Sequence, residues 1–164
     1  MEYKVAQMSQ FDEIILMKNR VKDRIIKEKL PMWLNGYPLD EMIEEDLING
    51  HGRVITIENK VVAYAVVYPS TFEYEGELDD IENRYSYGRV MVDEGYTGKG
   101  IGRFLITNIL KEAKEKKQKG MLITGDDFNI KAMNLYKSMG FVKISEKDFP
   151  YAHLSVFILN FEEE

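Results

Sequence analysis

The chain contains no cysteine. Disulfides, thiolate nucleophiles and zinc–thiolate centres are therefore excluded, a composition compatible with a cytoplasmic protein. Long apolar runs are lacking as well. No segment approaches the length needed to cross a bilayer, and Met1-Glu2-Tyr3-Lys4-Val5 has no apolar signal core, so no membrane association is expected. Positive charge is in deficit: 22 Lys and Arg stand against 28 Asp and Glu, a formal net charge of −6. That balance speaks against a nucleic-acid partner. Repeats, linkers and low-complexity tracts are also missing, so residues 1–164 read as a single domain. A domain of 164 residues buries about two-thirds of its unfolded surface.

What is present centres on Val90-Met91-Val92-Asp93-Glu94-Gly95-Tyr96-Thr97-Gly98-Lys99-Gly100-Ile101-Gly102-Arg103. An apolar strand runs into a glycine-rich turn and then into a helix. Gly98, Gly100 and Gly102, at alternate positions, let the backbone turn tightly with no side chain in the way. The amides of the turn and of the helix start converge where the helix dipole is positive, which suits a phosphate or pyrophosphate. The helix is marked by Ile101, Phe104, Leu105, Asn108, Ile109 and Ala113 on one face. A P-loop requires a different spacing before Gly-Lys and a Ser or Thr after it, where Gly100 stands. A Rossmann fingerprint wants glycine in place of Arg103 and a long series of further strand–helix units, which the remaining sequence does not hold.

The loop resembles the acetyl-coenzyme A loop of the GNAT family of N-acetyltransferases, Arg/Gln-x-x-Gly-x-Gly/Ala after a strand. A second segment, Asn129-Ile130-Lys131-Ala132-Met133-Asn134-Leu135-Tyr136-Lys137-Ser138-Met139-Gly140-Phe141, is similar to that family's later motif, Asn-x-x-Ala-x-x-Leu-Tyr-x-x-x-Gly-Phe. The pattern departs at Thr97, which stands where the family has Arg or Gln. The resemblance implies the α/β (α+β) GNAT fold: a central, mixed, mostly antiparallel twisted sheet of about six to seven strands flanked by about four helices. It also implies acetyl-coenzyme A as co-substrate, no metal, and a homodimer as an assembly the family often adopts.

The rest of the chain supplies elements in a matching order. Residues 2–7 read as a strand. Residues 10–29 read as a helix with Phe11, Ile14, Ile15, Val21 and Ile25 on one face. Residues 39–49 read as a second helix, with Leu39, Met42, Ile43 and Leu47 inward and Gly50 as C-terminal cap. A hairpin joins 53–58 to 61–68 through a turn at Asn59-Lys60, and a strand at 85–93 delivers the glycine loop. Beyond the loop helix follow a strand at 120–124, a helix at 129–139 capped by Gly140, and strands near 141–147 and 154–161. Trp33, Gly36, Tyr37 and Pro38 resemble a Trp-x-x-Gly-Tyr-Pro segment found ahead of the second helix in a subgroup of the family. Glu73, Glu75, Glu77, Asp79, Asp80 and Glu82 form a run without positive charge, read either as a solvated loop or as an attractor of cationic amines.

Acetyl transfer sets definite chemical needs. An acceptor ammonium has a pKa near 10.4, so its deprotonation at pH 7 costs roughly 5 kcal/mol and calls for a base. Glu94, Asp126, Asp127 and His153 are the candidates, with the choice among them open. The resemblance places the thioester beside Met91 and Val92. It casts Tyr136 as a hydrogen-bond donor to the departing sulfur, although Ala132, Leu135, Tyr136 and Met139 also form a plain core stripe. Gly98, Lys99, Gly100, Ile101, Gly102 and Arg103, with Lys131, are the candidates for the coenzyme phosphates, and Asn129 for the pantetheine amides or for capping its helix. The expected activity is acetyl transfer to a primary amine of a small cationic acceptor. The alternative, left open by Thr97 and the unassigned base, is the same fold holding acetyl-coenzyme A as a sensor without turnover.

Overall fold

Val61 to Val67 are buried without interruption, the mark of a strand covered on both faces. This strand lies inside a seven-stranded sheet. The computed structural model describes residues 1–70, 82–150 and 152–162, the side chain of Phe149 apart. The elements run β1 (Glu2–Val5), α1 (Phe11–Lys27), α2 (Asp40–Ile48), β2 (Gly52–Ile57), β3 (Lys60–Pro69), β4 (Arg84–Val92), α3 (Ile101–Glu115), β5 (Gly120–Asp126), α4 (Ile130–Ser138), β6 (Val142–Phe149) and β7 (Ala152–Asn160). A short 3-10 turn, Met8–Gln10, leads into α1. The expected order of strands and helices, and the expected fold class, are those found.

The sheet order is β1-β2-β3-β4-β5-β7-β6. Every neighbouring pair is antiparallel except β4 and β5. One core lies under α3 and α4, joining Ile101, Leu105, Ile109, Met133 and Tyr136 to Ile55, Ala65, Tyr87, Met121 and Ile123. The other lies under α1 and α2, joining Ile14, Met17, Val21, Ile43 and Leu47 to Val54, Tyr64 and Met91. Val54 beside Ile55 and Tyr64 beside Ala65 fall into different cores, so the two helical layers cover opposite faces of the sheet.

Two local differences from the sequence reading have simple causes. The β2–β3 turn is Glu58-Asn59, both left-handed (φ 50° and 65°), and Lys60 already pairs with Ile57. Two left-handed residues make the turn whose twist matches a hairpin, so the strand resumes one residue earlier than expected. Leu39 is not inward: it is the extended N-cap of α2 and is 45% exposed. Gly50 and Gly140 follow their helices in left-handed conformation, as expected of C-terminal caps. Of the acidic run, Glu73, Glu75, Glu77, Asp79 and Asp80 lie outside the described residues, and Glu82 is exposed. No helix among the described residues is long and apolar enough to cross a membrane.

Candidate active site

β4 and β5 are joined by only two residue pairs, Arg84 with Gly120 and Tyr85 with Met121. Past that point β4 continues against β3, while β5 pairs with β7 along its whole length. The two strands therefore part. The parting point is braced: buried Arg84 donates to Leu159 O at 3.3 Å and to Asn160 Oδ1 at 2.6 Å.

A bulge reshapes β4 within the gap. Ala65 of β3 faces both Arg89 and Val90, and Arg89 has φ 47°. Up to Tyr87 the odd-numbered residues face the α3–α4 core; after the bulge Met91 joins the α1–α2 core. Arg89 thus reaches α2. Its Nε and Nη2 donate to both carboxylate oxygens of Asp46, at 2.9 and 2.6 Å. Tyr64 Oη donates to the same carboxylate at 2.7 Å, and Arg89 Nη1 reaches Tyr37 Oη at 3.4 Å. Burial and the Asp46 carboxylate push the Tyr64 hydroxyl far above its ordinary range.

The gap opens into a cleft of about 920 Å³. Its α1–α2 side carries Trp33, Tyr37, Met42, Glu45 and Asp46; its α4 side carries Asn129, Ala132 and Tyr136, and Asp126 lines it from the end of β5. Gly88, Arg89 and Val90 form the β4 wall between them. The loop bearing Trp33 and Tyr37 is tied to α1: Lys22 donates to Gly36 O at 2.9 Å, and buried Lys18 donates to Pro38 O at 3.2 Å and pairs with Asp40. It is also tied to the end of β6, where Asn35 Nδ2 donates to Pro150 O.

Tyr136 lies in the cleft wall and is 6% exposed. Its ring sits 5.7 Å from Tyr87, 6.0 Å from Phe141 and 6.3 Å from Phe157. Burial pushes its hydroxyl up to about 12. Tyr87, also buried in the wall, has a hydroxyl with no hydrogen-bond partner among the described residues. Asn129 caps α4, its Oδ1 accepting from Ala132 N at 3.2 Å, and it faces the cleft as well.

The glycine loop sits beside this cleft. Its first residue is fixed by α1, Arg20 gripping buried Asp93 at 2.8 and 3.0 Å. Gly98 and Gly100 have φ 75° and 78°, and a side-chain carbon on either would stand in open space. Gly102 is already helical and faces Val92 and Leu135, each close to 4 Å from where its Cβ would be. Helix α3 starts at Gly100 with no side-chain cap and no acidic residue in its first turn. Its amide donors and dipole therefore face outward without a protein carboxylate, and the loop fits a pyrophosphate. Ile101 is core; Arg103 donates to Ser138 Oγ at 3.1 Å; Lys99 lies 5.5 Å from the Tyr96 ring; Lys131 is exposed.

The structure thus gathers Tyr136, Asn129 and Asp126 on the cleft and sets residues 98–100 on the adjoining loop and 101–103 in the first turn of α3. Met91 and Val92 do not line the cleft. Met91 is buried under α1 and α2, and Val92 packs towards the α3 core. The remaining candidate bases lie off the cleft. Glu94 pairs with Arg24 at 2.8 Å. His153 Nδ1 lies 2.6 Å from Asp148 Oδ1 and its Nε2 3.3 Å from Glu146, which raise its pKa, while Asp127 accepts from Ser155 Oγ. Arg89 and Asp46 were not singled out from the sequence. Asp46 had one visible signal, a carboxylate three residues after inward Ile43 on a helical face. Arg89 had none, because a bulge leaves no trace in residue type.

The acetyltransferase (GNAT) family model matches residues 22–141. Among solved structures, a GNAT-family acetyltransferase from Streptococcus agalactiae superposes with a TM-score of 0.84 at 18% identity, over 99% of this chain and 96% of that one. The ribosomal-protein-S18-alanine N-acetyltransferase of Escherichia coli gives 0.74 at 13% identity, over 99% and 95%. A ribosomal-protein-alanine N-acetyltransferase from Brucella melitensis gives 0.74 at 19%, over 98% and 100%. No curated protein matches by sequence.

Proposed function

We propose that this chain, which belongs to the acetyltransferase (GNAT) family, moves an acetyl group from acetyl-coenzyme A directly onto a primary amine of a small cationic acceptor. The observation that carries this reading is the parting of β4 from β5 after two residue pairs, which opens a cleft through the sheet beside an uncapped, glycine-led helix start. Acetyl-coenzyme A supplies an acetyl group already activated as a thioester.

The chain's own residues have separate tasks. The backbone of Gly98, Lys99, Gly100, Ile101 and Gly102 holds the pyrophosphate, with charge from Lys99 and Arg103. Met91 and Val92 pair with β3 on one edge and lie beyond the last pairing of β4 with β5, which leaves their other backbone edge without a strand partner among the described residues for the acetyl-bearing arm to meet. Asn129 orients the amides of that arm. Tyr136, buried and protonated at neutral pH, donates a hydrogen bond to sulfur as the thiol leaves. Transfer is direct, and the sequence has no cysteine to carry an acyl group.

Two features support a cationic acceptor. Trp33 and Tyr37 offer aromatic faces to an ammonium, and Glu45, Asp46 and Asp126 line the cleft against one guanidinium, Arg89. Thiol release from acetyl-coenzyme A tests the proposal, measured with diamines, neutral sugar amines, anionic amino acids and a peptide with N-terminal alanine. Amine-dependent release, fastest with the diamines, is expected. Coenzyme binding with no amine-dependent release overturns the reaction. Faster release with neutral, anionic or peptide amines overturns the acceptor class.

A further inference from the structure

Of Glu94, Asp126, Asp127 and His153, only Asp126 lines the cleft. It ends β5, the strand that β4 leaves behind. Its Oδ1 accepts from Phe128 N at 2.9 Å, while its Oδ2 is buried with no hydrogen-bond partner among the described residues. A buried carboxylate oxygen left unpaired costs free energy unless something in the cleft meets it. Strand alternation then fixes the face it occupies. Met121 and Ile123 join the core that holds Tyr136, and a side-chain carbon on Gly125 would stand 3.3 Å from Tyr136 Cε2. Leu122 belongs to a separate cluster with Val156. Asp126 therefore shares the face of Leu122, opposite Tyr136.

We propose that Asp126 is the catalytic residue that takes the proton of the acceptor ammonium, from the face of the sheet opposite Tyr136. This inference rests on the acetyl-transfer reading above. In the step, one N–H bond of the ammonium breaks and its electron pair stays on nitrogen. The proton forms an O–H bond at Oδ2, directly or through one water, and later passes to solvent. The nitrogen's next proton, lost after it has bonded to the acetyl carbon, goes to the departing sulfur. Two sides of the cleft thus divide the work, Asp126 accepting and Tyr136 donating.

The charged surroundings favour this division. Burial raises the Asp126 carboxyl above its ordinary range and Asp127 adds to this, while the Phe128 N–H and His153 pull the other way. Arg89 faces it across the cleft but is engaged by Asp46, and Glu45 lies on the opposite rim, exposed on α2. His153 is itself held by Asp148 and Glu146. A carboxylate raised toward neutrality is a better base than an ordinary one.

Asp126→Asn keeps the shape and the acceptor for Phe128 N and removes the basic oxygen. At pH 7 its kcat/KM for an alkylamine should fall about 100-fold or more, with acetyl-coenzyme A affinity unchanged by calorimetry. The loss should shrink to within about 3-fold for an alkoxyamine, whose nitrogen is already unprotonated at that pH. In the free parent, carbon-detected titration should show the Asp126 carboxyl titrating above the ordinary aspartate range. A variant that keeps its alkylamine rate, one that loses both amine classes equally, or a carboxyl that titrates normally overturns the inference alone. A parent that binds acetyl-coenzyme A yet acetylates no amine overturns the acetyl-transfer reading, and the inference with it.

Discussion

Tyr136 is at once packed in the core and placed on the cleft. It belongs to a buried aromatic cluster with Tyr87, Phe141 and Phe157, and it also forms part of the cleft wall. With its hydroxyl pushed up to about 12, it keeps its proton throughout the neutral range. Under the proposed reaction, Tyr136→Phe should lower kcat by about 10-fold or more, a loss of about 1.4 kcal/mol of transition-state stabilisation. Coenzyme affinity should hold, because the ring packing is retained. Stopped-flow kinetics with chemistry rate-limiting checks this, and an unchanged kcat returns Tyr136 to packing alone. A second residue governs stability and not activity. Burial works to raise the Glu112 carboxyl, but hydrogen bonds from Arg53, Lys116 and Tyr3 outweigh it and bring the group down to about 2. Because the folded value is depressed, the stabilisation is present above the ordinary value of 4.5 and is lost as pH falls toward 2. Its size is on the order of 2 kcal/mol after allowance for screening. Urea denaturation of the parent and of Glu112→Gln at pH 7 and at pH 3 should show the stability gap between them narrowing in acid.

The elements were legible where a single strand or helix announces itself. Periodicity gave α1 and α3, the glycine loop gave the join of β4 to α3, and the turn residues around Asn59 gave the hairpin of β2 and β3. The parting of β4 from β5 was not legible, because it is a relation between two strands and each reads as an ordinary strand alone. The Arg89 bulge was hidden for a similar reason: Tyr85 and Tyr87 alternate normally, and the shift shows only against Ala65. Leu39 reads as an inward helical residue until the N-cap geometry turns it out. The parting point nevertheless rests on one residue that a sequence can name. A side-chain carbon on Gly120 would stand 2.0 Å from Leu159 O and 2.6 Å from Arg84 Nη1. Gly120→Ala must therefore move backbone where β4, β5 and β7 meet, and overpacking of this kind costs about 1–3 kcal/mol. Urea denaturation should register that loss. Gly95→Ala gives a contrast: nothing lies within 4 Å of its added carbon, so only its φ of 86° opposes it. A Gly120→Ala variant as stable as the parent would mean that the parting point tolerates repacking.

At the scale of the whole molecule, charge is the property that most bears on function. The net charge of −6 is not spread evenly in sequence, since Glu73, Glu75, Glu77, Asp79, Asp80 and Glu82 fall between β3 and β4. Those two strands also carry Tyr68, Pro69, Gly88 and Arg89 to the cleft wall. Glu45, on α2, adds an exposed carboxylate at the cleft itself. Field from such a set raises the encounter rate of a cation and is screened within about 10 Å at 0.1 M salt. For a dicationic amine, kcat/KM should therefore fall several-fold between roughly 0.05 and 0.5 M salt, while a neutral amine should respond little. Changing the six loop carboxylates and Glu45 to their amides should flatten the dication's response and leave kcat at saturating amine unaltered, since encounter and not chemistry is affected. The competing account is that the run is a solvated surface with no part in capture. It predicts the same salt response in the parent and the amide variant, and steady-state kinetics at three salt concentrations separates the two.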